Sequence, residues 1–195
     1  EAELLMRAEK KFKVVTQMGN QGHTGTASNQ FREWVKRGII KNVTHVDAWK
    51  GPSCFFMQKD KRINRWPKRE PIPNGMDWNL WLGPAEYHPF SRMYHTFEWR
   101  GFHPYGSGML GDWGCHIIDM IHHYLDLGLP TEIKARRMDD HNKVIFPLNS
   151  HMQFKFPARG KHPAMTLNWK DGSDCQAQVP KKYWDDPNRA PRLGG

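Results

Sequence analysis

Asp112 and His116, four residues apart behind a run of glycines, have the types and spacing in this chain that best suit proton transfer. On a helix, positions i and i+4 project from one face about one turn apart, so carboxylate and imidazole would share one wall. The stretch Gly106-Ser-Gly-Met-Leu-Gly-Asp-Trp-Gly-Cys-His-Ile-Ile-Asp119 carries both. Its glycines permit a tight turn and the close approach of another molecule, and a His beside a carboxylate can take or give a proton. Asp112 also suits a helix N-cap, a role worth about 1 kcal/mol. His116, Asp119 and His123 continue the same face, with His122 nearby, and imidazole with carboxylate suits zinc or iron. Two-turn separations exceed what one ion spans and no HExxH is present, so no metal is assigned.

Gly106–Gly111 matches GxGxxG letter for letter. A dinucleotide fingerprint also needs a hydrophobic strand just before it and an acid about 20 residues after it. Here Pro104, which lacks a ladder donor, precedes the glycines, and the nearest plausible acids for that role, Asp139 and Asp140, lie about 30 residues on. The match is coincidental on this reading, and the glycines form a turn beside a substrate or a nicotinamide ring.

The elements that must position these residues follow from periodicity. Residues 1–10 resemble a helix, and residues 12–18 read as a short strand broken at Gly19. A second helix is expected from about Ser28 to Lys36, with Phe31, Trp34 and Val35 inward and Gly38 as its stop. Residues 42–49 alternate like a strand with one wet face. Residues 50–105, rich in Pro, Gly, Trp and His, are too long for a structureless connection and read as a packed, functional excursion. The third helix is expected from Asp112 to Leu127, with Trp113, Ile117, Ile121 and Tyr124 as its apolar stripe and Gly128 and Pro130 as terminators. Strands are expected over residues 131–138, 151–156 and 164–169. Trp78, Trp81 and Trp99 suit core or a ligand platform, and Arg100 suits a surface ion pair or an anion clamp.

Composition sets the bounds. The 195 residues are 38% hydrophobic and 25% charged, which is globular, and the 9 Trp and 10 Phe call for large aromatic surfaces. No run approaches the roughly 18 apolar residues of a membrane span, so no membrane partner is expected. The net charge of +9 raises nucleic acid as a partner. The basic residues are scattered, however, with one cluster at residues 59–69, and no nucleic acid is assigned. Cys54, Cys115 and Cys175 give neither a disulfide framework nor a CxxC zinc site. The first residues look like mid-helix sequence and the last like a loop, so the chain is expected to be a piece of a larger protein.

Four motifs occur in order: Gly19-Asn-Gln-Gly-His23, Asp77-Trp-Asn-Leu-Trp-Leu-Gly-Pro84, Trp99-Arg-Gly101 and Gly108-Met-Leu-Gly-Asp-Trp-Gly-Cys-His-Ile-Ile-Asp119. Together they resemble the glucose–fructose oxidoreductase and inositol 2-dehydrogenase family of NAD(P)-dependent enzymes, over roughly residues 1–172. The resemblance is strongest to a bacterial branch of sugar oxidoreductases. It implies an α+β fold: an open, mostly antiparallel sheet with helices on one face, forming the substrate domain of a two-domain Rossmann-type dehydrogenase. Residues 1–22 would be the last helix and strand of the Rossmann domain, and residues 23–195 the substrate and oligomerisation domain, incomplete at its C-terminus. The family's D-x-x-x-H motif falls on Asp112 and His116. This implies His116 as acid/base for a secondary hydroxyl, with Asp112 orienting it or binding substrate.

Asn20 and Gln21 would then face NAD or NADP, bound mainly by the preceding domain. His23, Trp99, Arg100 and Gly108 would face the sugar, cyclitol or glycoside. A catalytically idle sugar-binding protein and a redox-assisted glycosidase share these features. The resemblance further implies a homo-oligomer, dimer or tetramer, and leaves the compartment open between bacterial cytoplasm and periplasm. Two departures stand out. The family's Glu-Lys-Pro motif would precede Glu1, and His103-Pro-Tyr105 replaces a more usual acidic and aromatic stretch.

Overall fold

The computed structural model describes residues 2–51, 63–173, 175 and 179–184. Helices α1 (Ala2–Phe12) and α2 (Thr26–Lys36) precede strand β1 (His45–Lys50). A long excursion follows, holding the five-residue helix α3 (Trp78–Leu82) and a 3-10 turn at Glu98–Gly101. Helices α4 (Gly108–Ile117) and α5 (Asp119–Tyr124) then lead to the strands β2 (Glu132–Asp139), β3 (Asn149–Phe156) and β4 (Met165–Asp171).

The strands form one open sheet in the order β1-β4-β3-β2. β1 runs parallel to β4 and the other neighbours are antiparallel, so the α+β, mostly antiparallel expectation holds. The side-chain period of two sorts the sheet into two faces. In register, Val46, Ala48, Leu167, Trp169, Met152 and Phe154 share one face. On the other, Asn168 donates from Nδ2 to Asp47 Oδ1 at 3.1 Å, Gln153 donates to Asn168 Oδ1 at 3.2 Å, and Lys170 pairs with Asp47. This one-wet-face pattern is what an antiparallel sheet covered on one side requires.

α4 packs on β1 and β4, where the buried cluster joins Trp169 and Ala48 to Met109 and to Trp78, Phe90, Tyr94 and Phe102. The excursion is thus packed core over its described part, and burying aromatics of this size is the main source of stability available to it. A second cluster, Val35, Leu125, Leu127, Phe156, Met165 and Leu167, seats α2 and α5 on the far end of the sheet.

Three expectations are corrected here. Residues 13–20 form no strand: α1 runs on to Phe12, and Val14, Val15 and Met18 are 53%, 95% and 84% exposed with no neighbouring strand to complete a ladder. The third helix starts at Gly108, not Asp112, and is divided at Ile118 into α4 and α5, which ends at Tyr124. Asp112 is therefore interior to α4 and is not its N-cap. Cys54 and the basic residues at 59–62 lie outside the described residues.

Candidate active site

Asp112 and His116 lie one turn apart on α4, and each is held by a different segment. Arg100, from the 3-10 turn, donates from Nε to Asp112 Oδ1 at 3.2 Å. Its guanidinium lies 4.4 Å from the Trp99 ring centre and 4.5 Å from that of Phe97. Stacking on two rings fixes the plane of the fork, so the ion pair is pre-oriented although half-buried. No hydrogen bond joins Asp112 to His116. Arg100, missed as a partner of Asp112 by spacing alone, is what neutralises this carboxylate.

His116 is oriented by backbone instead. Its Nδ1 lies 3.1 Å from the Gln21 carbonyl oxygen. A carbonyl only accepts, so Nδ1 carries the proton and donates it, in the neutral as in the charged ring. Among the described residues Nε2 has no hydrogen-bond partner, so it is the nitrogen that can exchange a proton.

The loop carrying Gln21 is fastened to the same helices at two further points. Asn20 Nδ2 donates to the Cys115 carbonyl at 3.2 Å, and His23 Nδ1 lies 2.5 Å from Asp119 Oδ2. The His23 ring meets the edge of His123 with centres 5.6 Å apart. Residues 20, 21 and 23 thus dock at 115, 116 and 119, which joins two motifs almost a hundred residues apart in sequence. The His23–Asp119 pair is a direct imidazole–carboxylate contact, which His116 and Asp112 do not make. The His116 ring is held by the Gln21 carbonyl rather than by Asp112, which leaves Asp112 the substrate-binding half of its expected role.

The residues of the metal alternative face different partners. Asp119 faces His23 and His116 faces Gln21, and among the described residues no group of three His, Cys, Asp or Glu could hold an ion.

The glycine run is explained by the protein's own packing. A Cβ at Gly106 would lie 2.2 Å from the Arg100 carbonyl oxygen, and one at Gly108 would lie 2.8 Å from the Phe146 ring. Gly108 also has φ +65°, a conformation that favours glycine. Arg100 and Phe146 occupy the space where a pyrophosphate would need to approach, so this loop does not fit a dinucleotide. Ser107, Gly108 and Gly111 also line a cavity shared with β2, β3 and β4.

Trp99 contributes to a separate hollow of about 250 Å³, lined by Trp81, Leu82, Ala85, Trp99 and Tyr105. Trp78, by contrast, is core, its indole N–H donating to the His88 carbonyl at 2.8 Å. Glu98, one residue before Trp99, has a buried Oε2 with no partner, and burial pushes its carboxyl up to about 7.

Asp112 and His116 are thus presented on α4, which packs on an open four-stranded α+β sheet. Residues 25–156 match the family model described as "Oxidoreductase family, C-terminal alpha/beta domain", and the chain belongs to this Gfo/Idh/MocA oxidoreductase family. Members of the family are generally NAD(P)-dependent. No curated protein matches the chain.

Proposed function

We propose that the whole protein is an NAD(P)-dependent oxidoreductase exchanging a hydride with a secondary hydroxyl, or the matching ketone, of a sugar, cyclitol or glycoside. The observation that carries this reading is the anchored His116: Nδ1–H donates to Gln21 O, and Nε2 is open. In oxidation Nε2 takes the hydroxyl proton, and in reduction the imidazolium returns it to the carbonyl oxygen. Such positioned acid–base help is worth roughly 10²–10⁴ in rate. The Arg100–Asp112 pair gives the substrate a carboxylate acceptor and a guanidinium donor side by side. Trp99, stacked under that guanidinium, lines the neighbouring aromatic hollow with Trp81 and Tyr105, a surface of the kind a sugar ring packs against.

The nicotinamide, when bound, accepts or supplies the hydride. Because the glycine run does not fit a dinucleotide, the nucleotide is held mainly by a further domain. Asn20 and Gln21, already tied to α4, border the nicotinamide end. Their docking would couple cofactor seating to the orientation of His116.

The test is nicotinamide content and titration of the whole protein, followed by a panel of sugars, cyclitols and glycosides read by nicotinamide absorbance. Bound or titratable NAD(P) with substrate-dependent absorbance change is the expected result. Folded protein that binds sugar with no nicotinamide signal would refute the oxidoreductase reading in favour of a binding protein.

A further inference from the structure

A second cavity, of about 310 Å³, lies between the first turn of α4 and the sheet. Its size is at the lower end of the roughly 300–1,000 Å³ typical of small-molecule pockets. Met138, Ser150 and Asp171 are neighbours in register across β2, β3 and β4, so their side chains emerge on one face and form its floor. Ser107, Met109, Leu110, Phe146, Pro147 and Met152 supply most of the remaining wall.

Asp171 is the anomaly in this apolar setting. It is 2% exposed and lines the cavity. Ser150 Oγ donates to its Oδ2 at 2.5 Å and Trp169 Nε1 donates to the same oxygen at 2.6 Å. Oδ1 is buried and has no partner. Lys50, the cation opposite Asp171 in register, does not supply one: its Nζ sits 4.5 Å from the centre of the Trp113 ring. An acceptor buried without a donor costs on the order of 1–3 kcal/mol, and it is paired with an apolar cavity that could contain the donor.

We propose that this cavity binds an apolar molecule of one or two rings carrying a hydrogen-bond donor, a hydroxyl or an amine, which it gives to Asp171 Oδ1. The mostly thioether, phenyl and aliphatic walls exclude a polyol, whose several hydroxyls would lose water and find only the side chains of Asp171, Ser150 and Ser107 in return. The site is thus distinct in chemistry from the sugar-directed one around His116, and it stands whether or not the oxidoreductase reading does.

The test compares cyclohexanol, cyclohexylamine and cyclohexanecarboxylate as probes, by ligand-observed NMR titration of the protein. The alcohol or the amine binds and the carboxylate, which brings only acceptors, does not; whichever of the two binds more tightly identifies the donor. Asp171→Asn keeps an oxygen for Ser150 and Trp169 but turns an N–H₂ toward the space Oδ1 held. It therefore weakens the donor probes at least tenfold and admits the carboxylate. Met138→Trp, at a position 43% exposed and so tolerant of bulk, fills the cavity and abolishes binding of every probe. Absence of binding by all three probes, or alcohol binding unchanged by both variants, would overturn the proposal and leave Oδ1 to a buried water.

Discussion

Arg159 holds the end of α5 against the β3–β4 connection, and replacing it should unfasten the helices that carry the site. Its Nε donates to the carbonyls of Leu125 and Asp126 at 3.2 and 2.7 Å, and Nη2 donates to Leu125 at 3.0 Å. Nη1 reaches the carbonyls of Pro157 and Pro163, each at 3.0 Å. Those of Leu125 and Asp126 belong to the helix end that α5 cannot satisfy itself, where a cation is also favoured by the helix dipole. Burial lowers the guanidinium pKa, yet an arginine stays charged. A hydrogen bond from a charged donor contributes on the order of 1.5–3 kcal/mol when buried. The side chain is part-exposed and water replaces some of these contacts, so about 0.5–1 kcal/mol for each of the four carbonyls is the better figure. Arg159→Ala should therefore cost about 2–4 kcal/mol, read from the urea midpoint with the slope unchanged. Arg159→Lys, with three donors on one nitrogen and no fork, should recover less than half of that. A loss below about 0.5 kcal/mol for Arg159→Ala would refute the reasoning and show that solvent serves these carbonyls equally well.

Other outcomes follow from the same geometry. Gly106→Ala places a Cβ 2.2 Å from the Arg100 carbonyl oxygen and 2.4 Å from its Cα, both backbone atoms. It should cost about 1–3 kcal/mol in a thermal or urea melt, and a neutral effect would mean that the loop yields freely. Glu98 has its carboxyl raised from 4.5 to about 7 by burial, so the folded state disfavours its charge. Wild-type stability is then full below the unfolded value and falls as pH rises through about 7. Glu98→Gln should be more stable than wild type at about pH 8 and indistinguishable at about pH 4; a pH-independent difference would contradict this. Asp119→Asn breaks the part-exposed pair with His23 and should cost about 1 kcal/mol. It should also broaden the NMR signals of the Gly19–His23 loop, whereas unchanged signals would mean that the Asn20 and Gln21 contacts suffice.

Much of this was legible in the chain because it rests on local pattern. Alternation located β1, β3 and β4, and 3.6-residue periodicity located α2. The Asp112–His116 spacing held because both residues remain on one helix. The start of α4 was missed because glycines at 106, 108 and 111 have the composition of a turn, while their actual reason is the backbone of Arg100, the ring of Phe146 and the side chain of Ser107 pressed against them in turn. Residues 12–18 have strand-like composition, but a strand is made by its partner, and none lies beside Val15. The pairing of Arg100 with Asp112, the Gln21 carbonyl on His116 and the Arg159 cluster all join distant segments. A backbone carbonyl has no sequence signature, so the atom that orients His116 could not be read before the fold was known.

The central claim is that His116 Nε2 moves the substrate proton. Single-turnover reduction of bound nicotinamide in the whole protein, followed against pH for wild type and His116→Ala with a responsive sugar or cyclitol, tests it most directly. The account predicts a 10²–10⁴-fold loss for His116→Ala with cofactor binding intact, and loss of the wild-type pH limb assigned to the imidazole. Turnover within about threefold of wild type, with the same pH profile, would contradict it and move the proton to His23.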